Sequence, residues 1–84
     1  MDEVKVGVVI KFFAKPSVAA IDLTEGPLKV GDTIHIKGHT SDFQQAVDSM
    51  QIEHASVTSA DKGASIGIKV KERAHEHDAV YVVK

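Results

Sequence analysis

"GHTSDFQQAVDSMQIEHASV", residues 38–57, decides between an all-β chain and a mixed one. Phe43, Gln45 and Val47 share one parity, whereas Met50 and Ile52 share the other. If every apolar residue here points inward, a strand through the stretch must change parity near Asp48-Ser49. A β-bulge makes that change by inserting one extra residue, and it bends the strand. A helix over "FQQAVDSMQI" also satisfies the spacing, with Phe43, Val47 and Met50 at i, i+4 and i+7. Strand patterns on both sides favour the bent strand.

On the N-terminal side, Val4, Val6, Val8, Ile10 and Phe12 alternate with Lys5, Gly7, Val9 and Lys11, the period of a half-buried strand. Pro16 ends it, because proline has no N–H for a ladder. "SVAAIDL" puts Ala19, Ile21 and Leu23 inward, with Asp22 outward. Gly26-Pro27 and Gly31-Asp32 signal turns, and Leu28 and Val30 between them are expected to pin the connection to the core. "TIHIK" resumes the alternation with Ile34 and Ile36 inward and His35 outward. Beyond the quoted stretch, "SIGIKVK" places Ile66, Ile68 and Val70 inward and Ser65, Gly67, Lys69 and Lys71 outward, and "AVYVV" forms a last strand. Short strands at roughly ten-residue spacing with turns between them predict a small antiparallel barrel or sandwich.

Eighty-four residues suffice for one domain with one small core. The chain has no cysteine, which excludes disulfides and thiolate zinc sites and fits a reducing, cytoplasmic setting. No apolar run of about 18 residues exists, so no transmembrane helix is expected. The acidic start "MDEVKVGVVIKFF" does not resemble a signal peptide. Ten basic and twelve acidic side chains give a net charge of −2. The densest basic group, Lys69, Lys71 and Arg73, is interrupted by Glu72 and followed by Glu76 and Asp78, the pattern of a solvated face.

Five histidines raise the question of a metal. On an extended segment His75 and His77 would project to one side and offer two imidazoles to a divalent ion. The alternative is a solvated loop, "KERAHEHD", and no metal is expected. None of the serines sits in a G-x-S-x-G elbow. His39, Ser41 and Asp42 lie too close in sequence to reach triad geometry with one another. No phosphate-binding glycine loop occurs. The residues thus predict neither an enzyme nor a cofactor. Aromatic residues are few, and Phe13 and Tyr81 are the ones expected outside the core.

"EGPLKVGDTIHIKG" followed by "VDSMQIEHASVTSADKGASIGIKV" resembles the second domain of translational GTPases such as elongation factor Tu. Gly26, Lys29, Gly31, Asp32, Ser49, Met50, Ala60, Gly63, Ile66, Gly67 and Ile68 follow that pattern in order. "VAAIDL" and "GDTIHIKGHTSDFQQAVDSMQ" resemble more closely a variant of the barrel at the C-terminal end of collagenase-like peptidases. The resemblance implies an all-β fold, a small closed antiparallel six-stranded β-barrel of the translation-factor second-domain type, as a single domain over residues 1–84. It departs from the GTPases in lacking a GTPase domain. It also departs at Ala64, Ser65 and Ile66 and at Gln51, Ile52 and Glu53, where charged or polar groups serve the aminoacyl end of tRNA.

The function expected on these grounds is a non-enzymatic interaction module that docks on a protein or ribonucleoprotein partner. An RNA- or tRNA-binding accessory protein of translation is the alternative, and a small metal-binding protein using His75 and His77 is a weaker one. Loops on rigid barrels carry function. The candidate binding surface is therefore His39, Thr40, Ser41, Asp42, Gln44 and Gln45, with Lys69 and Lys71. No membrane partner is expected. Val9 and Phe13 are possible contacts of a dimer, whose existence the sequence leaves open.

Overall fold

The computed structural model describes residues 2–84, and every regular element among them is a strand. These are β1 (Glu3–Phe13), β2 (Val18–Asp22), β3 (Leu28–Lys29), β4 (Thr33–Lys37) and β5 (Asp42–Ala46), then β6 (Met50–Ile52), β7 (Ala55–Val57), β8 (Ser59–Ala60), β9 (Ser65–Lys69) and β10 (Ala79–Val83). Eight form one antiparallel sheet in the order β5-β4-β10-β1-β2-β9-β6-β7, and β3 pairs with β8 apart from it. No helix crosses residues 43–52, and among the described residues no helix is long and apolar enough to cross a membrane.

The alternation in β2, β4, β9 and β10 puts Ala19, Ile21, Ile34, Ile36, Ile66, Ile68, Val80 and Val82 into one core. Leu28 joins them, but Val30 is 36% exposed and does not pin its loop. The sheet does not close hydrogen bond by hydrogen bond, so the expected closed six-stranded barrel is replaced by an open ladder of eight strands plus a two-stranded ribbon. Its β5 end is instead joined to the far end of β9 by one side chain. Gln45 Nε2 donates to the Lys69 carbonyl at 2.9 Å, and the Lys71 N–H donates to Gln45 Oε1 at 2.8 Å.

Strand β1 departs from strict alternation. Val6 and Val9 are buried, while Val4 and Ile10 are 45% and 43% exposed. Register shifts between Lys5 and Gly7 and between Val9 and Lys11 account for this, since each bulge moves the following side chains to the other face. Val9 is therefore core and offers no dimer contact. Gly7 lies where β2 passes closest, and a Cβ there would stand 2.2 Å from the Asp22 carbonyl oxygen.

The expected bulge at Asp48-Ser49 is a crossover. β5 pairs only with β4, whereas β6 pairs with β9 and β7 at the other end of the ladder. Val47 and Met50 are both buried because the chain between them changes strand position. The two ends of the chain meet, with Glu3 paired to Val83 and the Lys84 N–H donating to the Asp2 carbonyl at 2.8 Å.

Candidate functional site

The residues named on the 38–45 segment fall into three separate settings. His39 and Thr40 are exposed in the β4–β5 loop, and Gln44 is exposed on β5. Ser41, expected as an exposed polar group, is buried, 3% exposed. Its Oγ lies 2.7 Å from His75 Nδ1, with Thr40 Oγ1 at 3.4 Å from the same nitrogen. Asp78, also 3% exposed, accepts the His75 N–H through Oδ2 at 2.8 Å. Its carboxylate stands 3.9 Å from His75 Nδ1.

A serine, a histidine and an aspartate are thus adjacent, yet not in the order of a nucleophilic triad. That order places the serine on one ring nitrogen and the carboxylate on the other. Here both approach Nδ1 and the serine is buried. The cluster fastens the β4–β5 loop to the turn before β10.

His75 and His77 do not form a pair of extended ligands. Residues 74–78 turn back, with the Asp78 N–H donating to the His75 carbonyl at 3.1 Å and His77 at φ 75°. Among the described residues no group of three or more histidine, aspartate or glutamate side chains is placed to hold a metal ion.

A second cluster lies on the outer face and spans four neighbouring strands, β5, β4, β10 and β1. His35 on β4 meets Glu3 Oε2 on β1 at 2.8 Å through Nδ1, and Asp42 Oδ1 on β5 through Nε2. The Tyr81 ring of the intervening β10 lies 6.3 Å away, tilted by 47°. Carboxylates facing both ring nitrogens favour the protonated imidazolium over the neutral ring. The hydrogen bond to Asp42 raises the His35 pKa above its ordinary value, desolvation opposes the rise, and Glu3 adds to it. Asp42 moves down for the reciprocal reason, mainly the bond from His35, with Lys37 contributing by charge.

The sign of the linkage follows. A raised folded pKa means that His35 stabilises the fold fully below its unfolded value of about 6.5. That contribution disappears as pH climbs through the folded value. The depressed Asp42 pKa acts oppositely and is lost as pH falls through it. Urea midpoints of the parent are therefore expected to decline from pH 6 to about pH 9, and those of His35→Gln to stay flatter over the same range. An unchanged decline in the variant would place its origin elsewhere.

The remaining named residues gather at the seam between β5 and β9. The Lys69 and Lys71 side chains are exposed, and it is their backbone groups that Gln45 engages.

One concavity was not expected from the sequence. It opens on the outer face with a volume of about 470 Å³. Ala20 and Gly67, paired across β2 and β9, form its floor. Phe13, Pro16 and Val18 wall it, and the β6–β7 turn at Glu53 and His54 rims it. Phe13 is 43% exposed there. Both turn residues have positive φ, 50° and 66°, the pair that a two-residue hairpin of the I′ type needs. The signal available in the sequence was two tiny residues, Ala20 and Gly67, at outward positions beside an outward Phe13. The volume is in the range of small-ligand and side-chain pockets.

No protein-family model matches the chain. Three known proteins do. An uncharacterized protease of Methanocaldococcus jannaschii is 42% identical over 83 residues, which cover 98% of this chain and 20% of that protein. Two Porphyromonas gingivalis proteins named collagenase are 36% and 38% identical over 80 and 77 residues, covering 94% and 90% of this chain and 19% and 21% of theirs. The chain spans about a fifth of the length of these relatives.

Among solved structures, the C-terminal domain of a Geobacillus thermoleovorans protein named for the U32 peptidases superposes with a TM-score of 0.87 at 16% identity. It covers 94% of this chain and 91% of that domain. A selenomethionine form of the same domain superposes with a TM-score of 0.84.

These findings correct the translational reading. The relatives are protease- and collagenase-named, so neither the elongation-factor likeness nor a translation-related docking or RNA-binding role is supported. The expectation of a non-enzymatic interaction module, and of a chain that is no enzyme, is overturned on the same ground: the relatives' names point to a peptidase family. What stands is the collagenase-like part of the resemblance: over nearly its whole length this chain is similar to one segment of protease- and collagenase-named proteins, and it has the fold of a U32-peptidase C-terminal domain.

Proposed function

We propose that this chain is a peptidase-family domain, the small β-domain of a U32-type, collagenase-like protein, and that it engages polypeptide for that protein's hydrolytic activity. The observation that carries the reading is the 42% identity over 98% of the chain to a protease-named protein, with two collagenase-named proteins close behind. The outer concavity supports it, being apolar on floor and wall and of a size for one or two apolar side chains of a polypeptide. In this reading the domain acts as a small barrel, with the Gln45 carboxamide standing at the seam where the ladder does not close.

A graft tests it. In a P. gingivalis collagenase the matching segment is deleted, or replaced by this chain, and fluorogenic gelatin cleavage is followed. Deletion is expected to lower cleavage at least tenfold, and the graft to restore it to within about threefold of the parent. A folded graft no more active than the deletion would overturn the proposal.

A further inference from the structure

We propose that the seam between β5 and the end of β9 is a docking site for an extended, acidic polypeptide strand, which pairs with the Lys69–Lys71 backbone in place of the Gln45 carboxamide. This rests on the reading of the domain as one that engages polypeptide, and it names where and how.

The Gln45 carboxamide is chemically a peptide group on a tether. It accepts from the Lys71 N–H at 2.8 Å and donates to the Lys69 carbonyl at 2.9 Å. A carbonyl and an N–H two residues apart on one strand edge are the pair that a neighbouring parallel strand engages. The segment past β9 therefore presents a ladder position that a peptide group already fills, but from a side chain.

The opposite bank is also an edge. The Val47 N–H donates to the Asp32 carbonyl at 2.8 Å, toward β4. Alternation along β5 then turns the backbone groups of Gln44 and Ala46 to the seam. Of these, the Ala46 carbonyl receives a long contact of 3.4 Å from Gln45 Nε2.

Direct pairing sets strands about 4.8 Å apart. A glutamine side chain plus a hydrogen bond holds these banks farther apart than that. A cavity of about 310 Å³ lies at the gap, lined by Gln45, Ala46, Asp48, Ser49, Lys69 and Lys71.

Recognition by strand addition draws affinity from main-chain bonds and selectivity from alternate side chains. Lys69 and Lys71 are two residues apart and both exposed, and among the described residues neither forms an ion pair. A strand with acidic residues at alternate positions complements them. The other end of the eight-stranded ladder, β7, has three residues, and among the described residues no side-chain amide is bound along it.

The experiment is a titration of ¹⁵N-labelled protein with the peptide acetyl-Val-Glu-Val-Glu-Val-amide, and with the same peptide carrying lysine for glutamate. It is run on the parent and on Gln45→Ala. Amide signals of Gln44, Ala46 and Lys71 are expected to shift with the glutamate peptide. Because Gln45→Ala removes two competing hydrogen bonds, it is expected to bind about tenfold tighter. The lysine peptide is expected to bind at least tenfold more weakly. Gln45→Met, of similar length without the polar group, replaces the alanine variant if that one does not fold.

Seam amides that stay still to millimolar peptide in both proteins would overturn the proposal. So would shifts confined to β7 or to the Phe13 concavity, or an affinity that Gln45 variants do not raise. Restored cleavage in the collagenase graft alongside a silent seam would sink the seam alone.

Discussion

Gly7→Ala is expected to lower the stability of this domain by about 3 kcal/mol, the upper part of the usual overpacking range. An alanine Cβ would stand 2.2 Å from the Asp22 carbonyl oxygen, 3.1 Å from its carbonyl carbon and 3.2 Å from Ile21 Cγ2. The obstacle is backbone, and that backbone cannot step aside cheaply. Asp22 is paired with Val8 on one side and Ser65 on the other, and its carboxylate accepts the Ser65 hydroxyl at 2.6 Å. The first β1 bulge sits at this contact, so relief would have to come from the strand that joins both halves of the ladder.

A domain of this length has about 4–13 kcal/mol in total, so the loss is a large fraction. It is read as a lower urea midpoint with an unchanged slope. Gly67→Ala is the control. Its Cβ would meet only Val18 Cγ1, at 3.4 Å, and its stability is expected within about 1 kcal/mol of the parent. If Gly7→Ala proves as stable as Gly67→Ala, the bulge relaxes freely and the close approach is not what requires glycine.

Asp78→Ala is expected to cost about 2–3 kcal/mol, the range for a hydrogen bond to a charged group whose loss leaves its partner unmet. The Asp78 side chain is 4% exposed and takes the His75 N–H. Its backbone carbonyl accepts the Val9 N–H at 2.8 Å, so the same residue joins the turn to β1. Asp78→Asn keeps an acceptor and is expected to lose about 1 kcal/mol or less.

The contact can also be broken from the other side. A Cβ on Gly38 would fall 1.8 Å from Asp78 Oδ1, so Gly38→Ala must displace the carboxylate. Because both changes act on one contact, the double variant is expected to cost clearly less than the sum of the two. Full additivity would mean that Gly38 and Asp78 stabilise independently. An Asp78→Ala loss under about 0.5 kcal/mol would leave the turn to its backbone bonds.

Inward positions were legible wherever a strand alternates without interruption. Ile34 and Ile36, Ile66 and Ile68, and Val80 and Val82 all follow their spacing into the core. β1 was not legible, because a bulge is set by a neighbour: the passage of Asp22 beside Gly7 is invisible to a pattern of apolar residues. The parity change near Asp48-Ser49 was visible but ambiguous. One extra residue and a crossover both produce it, and pairing partners far apart in sequence decide between them.

The candidate site shows the same division. Gln45, Lys69 and Lys71, chosen for polarity and exposure, come together, but through the backbone and one carboxamide. Glu3 and His35 are 32 residues apart and meet only because β10 lies between their strands. Ser41 was read as surface from its loop. It is buried, with its Oγ 2.7 Å from Nδ1 of His75, a residue of a distant turn.

The meeting of the two chain ends also has a mechanical consequence. Glu3 pairs with Val83, and Lys84 bonds back to Asp2, so the outermost rung of the β1–β10 ladder is also the point where tension from both directions would arrive. Pulled apart there, the rungs open singly from the end inward, as in a zipper, instead of sharing the load along the strand. The domain would thus yield at low force when tugged through its termini.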